Sequence, residues 1–494
     1  MLEFVNMLNG WVWSPALIYL CLGVGLYFSI RTRFLQLRHL RQMIKLLFDG
    51  KSSDEGVSSF QALAMSLAGR VGTGNIAGVA TAITFGGPGA LFWMWVVAFL
   101  GASTAFIESA LGQIYKEKQD GEYRGGPAYY FEKGLGQTWY GILFAVSAIL
   151  ACGLLLPGVQ ANSIADSMSN ALDVPQSVTA AIIAILLGFI IFGGVKRIAK
   201  AAEIIVPFMA LAYIIVAVVI VLLHIHDLPK VLTLIFESAF GLHAGFGAMI
   251  GLAIQWGVKR GVYSNEAGQG TGPHPAGAAN VSHPAKQGLV QAFSVYIDTL
   301  FVCSATGFML LVTGMYNVVK PDGSGFVYQG VPSSSIQAGA GYTQTAMESI
   351  MPGFGSVFVA LALFFFAFTT IMAYYYIAET NIKYLSSKIK MDWAITLLKI
   401  GIIVVVVYGS VKTAELAWGL GDLGVGLMAW LNIIGILFLQ KPALACLKDY
   451  ERQLKEGKDP MYVPEENGVH LNTELWAEIR RKFTQQADSS KDNK

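Results

Sequence analysis

Apolar runs of about twenty residues recur along the 494-residue chain, separated by polar stretches rich in Lys, Arg, Gly and Pro. Runs of that length cross a bilayer as helices. Eleven spans are predicted, over residues 11–30, 58–84, 89–115, 138–161, 177–195, 200–223, 244–262, 284–316, 353–382, 392–410 and 414–439. The apolar part of the seventh is short. It runs into WGVKRGVYSNEAGQGTGPHP, which is polar and rich in Gly and Pro. The fold class is therefore an all-α polytopic membrane protein with the lipid bilayer around it.

The second span differs from an ordinary one. Its middle carries Gly69, Gly72, Gly74 and Gly78, with Arg70 and Asn75 among them. Each glycine costs a helix about 1 kcal/mol relative to alanine. Small residues alone serve close helix packing, but packing does not need an Arg and an Asn. A helix broken at mid-membrane does, because its freed backbone groups must line a cavity or protein. Spans two to six and seven to eleven form two sets of five, and each set opens on a Gly-interrupted span. One starts on the inner side and the other on the outer side. That placement predicts an inverted repeat with a binding site at the repeat interface. The predicted units are an N-terminal helix with a basic linker (1–57), a first repeat (58–224), a second repeat (244–440) and a C-terminal tail (441–494).

Composition agrees with this picture. The chain is 54% hydrophobic and 13% charged, against about 25% charged in soluble proteins. Net charge is +2, but its distribution is uneven. Twenty-nine Lys and Arg fall on one set of alternate loops and the tail; Lys230, Lys320 and Lys412 fall on the other. The positive-inside rule places the basic side, with the C-terminus, in the cytoplasm of a cell membrane and the N-terminus outside. The basic loops are read as topological signals, and no nucleic-acid partner is expected. Residues 1–10 lack a basic n-region and a small-residue cleavage site, so the first span is expected to be retained. Cys21, Cys152, Cys303 and Cys446 have no paired spacing and read as packing residues.

GGPGALFWMWVVAFLG (86–101), GRVGTGNIAGVA (69–80) and KRGVYSNEAGQGTGP (259–273) resemble the signature motifs of the sodium:alanine symporter family. The resemblance runs from about residue 10 to 445 and is nearest the bacterial alanine, glycine or glutamine branch. It implies Na⁺-coupled symport of a small neutral amino acid. It also implies the five-plus-five inverted-repeat fold of the leucine-type sodium symporters, with one extra N-terminal helix.

A zwitterionic amino acid needs donors for its carboxylate and acceptors for its ammonium group. The start of a half-helix offers free N–H groups and a favourable dipole. In VGTGN the N–H groups of Thr73 and Gly74 suit a carboxylate, and the Thr73 hydroxyl adds a donor. Asn75 offers an amide oxygen to Na⁺ or to the ammonium group, or else caps the half-helix. Gln160, beside the helix-kinking Pro157, either touches substrate or satisfies a neighbouring span. Gln255 and Trp256 lie where the seventh span is expected to break, with Trp256 as a wall for the substrate side chain or as packing. Na⁺ prefers oxygen ligands, as other hard cations do. Carbonyls around Ala68 to Val71 and the hydroxyls of Thr369 and Thr370 supply them. The threonine pair resembles the hydroxyl pair of the sodium site in this fold, although back-bonding explains one Thr equally well.

Arg70 is costly at mid-span, by at least about 2.5–3.5 kcal/mol. Glu108, Glu203, Asp298 and Glu379 are its candidate partners. Glu266 and Asn265 are expected to cap or anchor the inner half-helix. His274 and His283 are read as surface or helix-end residues, and the tail from Lys441 as solvated. No enzyme constellation is present: no Ser/His/Asp order, phosphate loop or CxxC. Two readings compete with Na⁺ symport. A proton-coupled transporter would use Glu108 or Asp298 as its titrating carboxylate. A channel or sensor would lack accumulation against a gradient. Oligomeric state is not legible.

Overall fold

The computed structural model describes residues 2–48, 53–243, 245–331, 336–391 and 393–492. Lys51 of the basic linker, and Ala244 and Asp392, which open the seventh and tenth predicted spans, lie outside these residues. Among the described residues the chain is helical, with two small hairpins: Glu117–Gln119 with Glu122–Arg124, and Asn317–Val319 with Phe326–Gln329.

Among the described residues seven helices are each long and apolar enough to cross a membrane, and an eighth results if Leu2–Val12 and Pro15–Arg31 count as one span. That pair is bent by 42°. The other predicted spans fall on shorter or interrupted helices: Gln176–Ile191, Ile250–Asn265 and the interrupted stretch Ser59–Gly86. Helix Gly89–Ile114 runs through the interior and stays buried over its last turns. It is packed by Ile250–Asn265, whose Gly257 lies against it so closely that a Cβ there would sit 2.5 Å from the Ala90 carbonyl oxygen.

The first break has the predicted position. Ser58 and Gln61 form a capping box that starts Ser59–Arg70. The helix stops at Val71, whose φ of −79° and ψ of 87° leave the helical region. A π-helical turn, Gly74–Gly78, leads into Val79–Gly86. Further π-turns occupy Ala151–Leu155, just ahead of Pro157, and Ile297–Cys303. Such turns concentrate at functional sites because they free backbone groups from the ladder.

The second break differs from expectation. Gln255 and Trp256 lie inside an unbroken helix, Ile250–Asn265. The chain leaves the helix ten residues later, at Glu266, with φ of 57°. Gly268 (φ 82°) and Gly270 (φ 87°) carry the turn to the short helix Pro273–Ala278. Glu266 is thus the C-cap of Ile250–Asn265 rather than an anchor of the short helix Pro273–Ala278. Asn265 accepts the Ala267 N–H at 3.0 Å. The chain just ahead of Ser59–Arg70 meets the chain just after Pro273–Ala278: Val57 and Ala279 pair as an isolated bridge.

Three further expectations are corrected. Lys259 and Arg260 belong to the helix interior, where both pair with Asp422 at 2.7 Å, so they are not loop charges. His274 is fully buried, with Nδ1 against the Thr271 carbonyl and Nε2 against Asn381. His283 is buried as well, but it stands at a helix end as expected, where its side chain caps Pro284–Tyr296. The tail is docked rather than solvated. Trp476 is buried and donates to the Ile114 carbonyl at 3.2 Å, and the Tyr462 N–H donates to Ser282. Lys482 pairs with Glu55 at 2.6 Å.

Candidate functional site

The first break brings together most of the residues singled out from the sequence. Thr370 donates its hydroxyl proton toward the Ala68 carbonyl at 2.8 Å, and the Val71 carbonyl oxygen lies 3.4 Å from the same hydroxyl. These three oxygens converge at the end of Ser59–Arg70. Both threonines also bond back within their helix: the Thr369 hydroxyl to Phe365 and Phe366 at 3.0 and 2.9 Å, and the Thr370 hydroxyl to Phe366 at 2.9 Å. Gly72 is required here. A Cβ would fall 2.5 Å from Thr370 Oγ1 and 2.9 Å from Gln160 Oε1.

On the other face of the break, Gln160 Oε1 accepts the Thr73 N–H at 3.0 Å. The Thr73 and Ser163 hydroxyls lie 3.2 Å apart. Ser163 was not singled out from the sequence, although it lies one helical turn beyond Gln160 on the same face. Asn75 caps its own break: its Oδ1 accepts the Gly72 N–H at 2.8 Å. Its Nδ2 donates to Asp298 Oδ1 at 2.6 Å. Ser264 donates to the same Oδ1 at 3.0 Å and Thr299 to Oδ2 at 2.7 Å. Asp298 therefore ties the first break to the helix ahead of the second. Gly74 lies against Ser264, whose Cα would be 3.2 Å from an added Cβ.

Gln255 and Trp256 are not brought to this point. Gln255 is exposed, and Trp256 stacks on Phe85 at 4.7 Å between ring centroids. A polar cavity of about 500 Å³ opens beside the break, lined by Ala77, Asn162, Ser163, Asp166, Gln344 and Trp418. It leads to Ser163 and hence to Thr73. No group of three or more His, Cys, Asp or Glu side chains suited to a metal occurs among the described residues.

Residues 1–464 match the family described as the sodium:alanine symporter family. The chain belongs to that family. Its members are transporters, not enzymes. YrbD of Bacillus subtilis is 62% identical over 96% of this chain and 98% of its own length. The sodium/proton-dependent alanine carrier protein of Bacillus sp. (strain PS3) is 53% identical over 88% of this chain and 97% of its own. The sodium/alanine symporter AgcS of Methanococcus maripaludis is 39% identical over 88% and 94%. Among solved structures, a Na⁺-coupled sialic acid symporter aligns over 90% of this chain and 86% of its own. Its TM-score is 0.47 at 12% identity, too distant to bear on the fold.

Arg70 of this symporter is buried and forms no salt bridge among the described residues: it donates to the Gln291 carbonyl at 3.1 Å and to the Ser294 hydroxyl. Its Nε and Nη2 have no hydrogen-bond partner among the described residues. The carboxylates whose charges face it are Glu266, Glu108 and Asp298. Two of the expected partners are thus engaged elsewhere. Glu203 pairs with Lys200 and Glu379 with Arg124. Glu108 lies in the second break, accepting the Gly268 and Gly270 N–H groups at 3.2 and 3.1 Å and the Asn432 amide at 2.6 Å.

Proposed function

We propose that the chain is a Na⁺-coupled symporter that imports a small neutral amino acid, alanine or glycine and by extension glutamine, by alternating access. The observation that carries this reading is the convergence of the Ala68 and Val71 carbonyls with the Thr370 hydroxyl at a helix break. Three oxygens at one buried point suit a hard cation. Thr369, one residue away, completes the set by turning its hydroxyl from its own helix toward the ion. The names of the relatives support the same ion and substrate class.

The substrate site lies at Thr73, Gly74, Asn75 and Gln160, reached through the polar cavity. The amino-acid carboxylate takes the place of Gln160 Oε1 on the Thr73 N–H and adds the Gly74 N–H. The displaced Gln160 then turns its amide N–H toward the carboxylate. Gln255 and Trp256 have no role in this pocket. The fold we infer is the eleven-span, five-plus-five inverted repeat with units 1–57, 58–224, 244–440 and 441–494, the N-terminus outside and the C-terminus cytoplasmic. Glycine-interrupted spans at 59–86 and 250–278 support it.

The energetics suffice. One Na⁺ crossing about 100 mV releases about 2.3 kcal/mol, and a tenfold Na⁺ gradient adds about 1.4 kcal/mol. Together they concentrate a neutral solute several hundred-fold. The test is equilibrium alanine binding across a Na⁺ titration, in the wild type and in Gly74→Leu. Alanine affinity should rise with Na⁺, because ordering the shared backbone once serves both ligands. Gly74→Leu should abolish binding in a folded protein. Alanine affinity indifferent to Na⁺ would sink the shared-backbone coupling. Protons replacing Na⁺ as the driving ion is the second reading, favoured by the sodium/proton-dependent names of two relatives. Uptake driven by a pH gradient in the absence of Na⁺ would select it.

A further inference from the structure

Next to the proposed Na⁺ site, a small cavity of about 10 Å³ is closed in by both breaks and the helix Gly355–Ser386. Its lining includes Ser66, Gly69, Glu266, Thr271, Ala373 and Tyr376. That volume holds one water-sized occupant. Glu266 Oε1 and Ser66 Oγ, both on side chains at most 3% exposed, have no hydrogen-bond partner among the described residues. A buried polar atom without a partner costs roughly 1–3 kcal/mol, more when charged. The other carboxylate oxygen, Glu266 Oε2, accepts the Thr271 hydroxyl at 2.7 Å. The cavity thus has a carboxylate oxygen and two hydroxyl oxygens around a space for one small occupant.

Position and charge say which occupant fits. The proposed Na⁺ site uses Ala68 and Val71 with Thr369 and Thr370. The cavity uses Ser66 and Gly69 with Ala373 and Tyr376, a step of two residues, about 3 Å, back along Ser59–Arg70 and of about one turn or more onward along Gly355–Ser386. The step runs toward the Val57–Ala279 bridge, the end assigned to the cytoplasm. Around it, Glu266, Glu108 and Asp298 face the single guanidinium of Arg70. Ionised, that set has two more negative than positive charges. One Na⁺ at Thr370 balances half of the excess. The Tyr374 phenol also faces the Glu266 carboxylate, but a neutral phenol does not offset charge.

We infer that Glu266, Ser66 and Thr271 form a second Na⁺ station on the inner side of the first, which the ion occupies on its way to the cytoplasm. The inference rests on the proposed Na⁺ site at Thr370. A water in the cavity is the competing occupant. The two differ in whether Na⁺ binds there.

The experiment is ²²Na⁺ binding to the purified full-length protein, titrated in the wild type and in Glu266→Gln, Ser66→Ala and Thr370→Val. The wild type should show two components. Glu266→Gln keeps the shape and removes the charge, so the weaker component should be lost and the tighter one kept. Ser66→Ala, which leaves the charge set intact and covers the event that Glu266→Gln does not fold, should weaken the same component at least tenfold. Thr370→Val should weaken the tighter component, which tests the first site separately. A single component in the wild type, or two components that survive both cavity variants, would overturn the station. An unchanged tighter component in Thr370→Val would instead overturn the first site.

Discussion

Thr370 and Gly72 are packed against each other at the first break. Thr370→Val preserves shape but removes the oxygen that meets Ala68 and Val71. Apparent Na⁺ affinity should fall at least tenfold, about 1.4 kcal/mol. Na⁺ dependence of uptake measures this, and an unaltered Na⁺ dependence would remove Thr370 from the site. Gly72→Ala should be worse than its size suggests, because the added carbon lands on Thr370 Oγ1 and Gln160 Oε1 at once. Both alanine and Na⁺ affinity should drop in binding assays, whereas loss of only one would separate the two sites. At this scale the sequence was a good guide for side chains next to the glycine cluster. Thr73, Asn75 and Gln160 do meet at the break. Asp298 was weighed as a partner of Arg70 and as a titrating carboxylate, and its bond to Asn75 was not legible, because it joins residues more than two hundred apart.

Elements divide into those that local chemistry specifies and those that long-range packing decides. The first break was legible because Gly69, Gly72, Gly74 and Gly78 cluster with polar residues inside an apolar run. The second was placed ten residues early, at Gln255 and Trp256, inside a helix that continues to Asn265. Gly257 serves close packing, pressed on Ala90, and the left-handed turn begins at Glu266. The tail was misread as solvated because its charges dominate its composition. Its docking depends on a few apolar residues, Tyr462 and Trp476 among them, meeting partners far off in sequence. Trp476→Ala should release the tail, which limited proteolysis would detect as faster cleavage beyond Tyr462. Cleavage as slow as in the wild type would mean that the polar ties alone hold it. Those ties should withstand mild acid. The Lys482 ammonium holds the Glu55 carboxyl down to about 2, so this pairing is present above the ordinary carboxylate range and is lost only as pH falls through about 2. Proteolysis rates from pH 8 to 5 should therefore not change through Glu55, and an increase near pH 5 would contradict that assignment.

For the whole molecule, the charge asymmetry predicts termini on opposite sides of the membrane. Lys259 and Arg260 leave the count because they pair with Asp422 inside a helix, and the bias of the remaining loops is still steep. Single cysteines introduced near each end, labelled with an impermeant reagent, should react from opposite faces; labelling from one face would remove the odd span number. The central claim is that Na⁺ moving down its gradient drives a small neutral amino acid up its own. Radiolabelled alanine uptake into proteoliposomes, with an inward Na⁺ gradient or with K⁺ in its place, measures this most directly. Accumulation above the external concentration with Na⁺, and simple equilibration without it, is the predicted result. Accumulation that is the same in both conditions, or none in either, would contradict it.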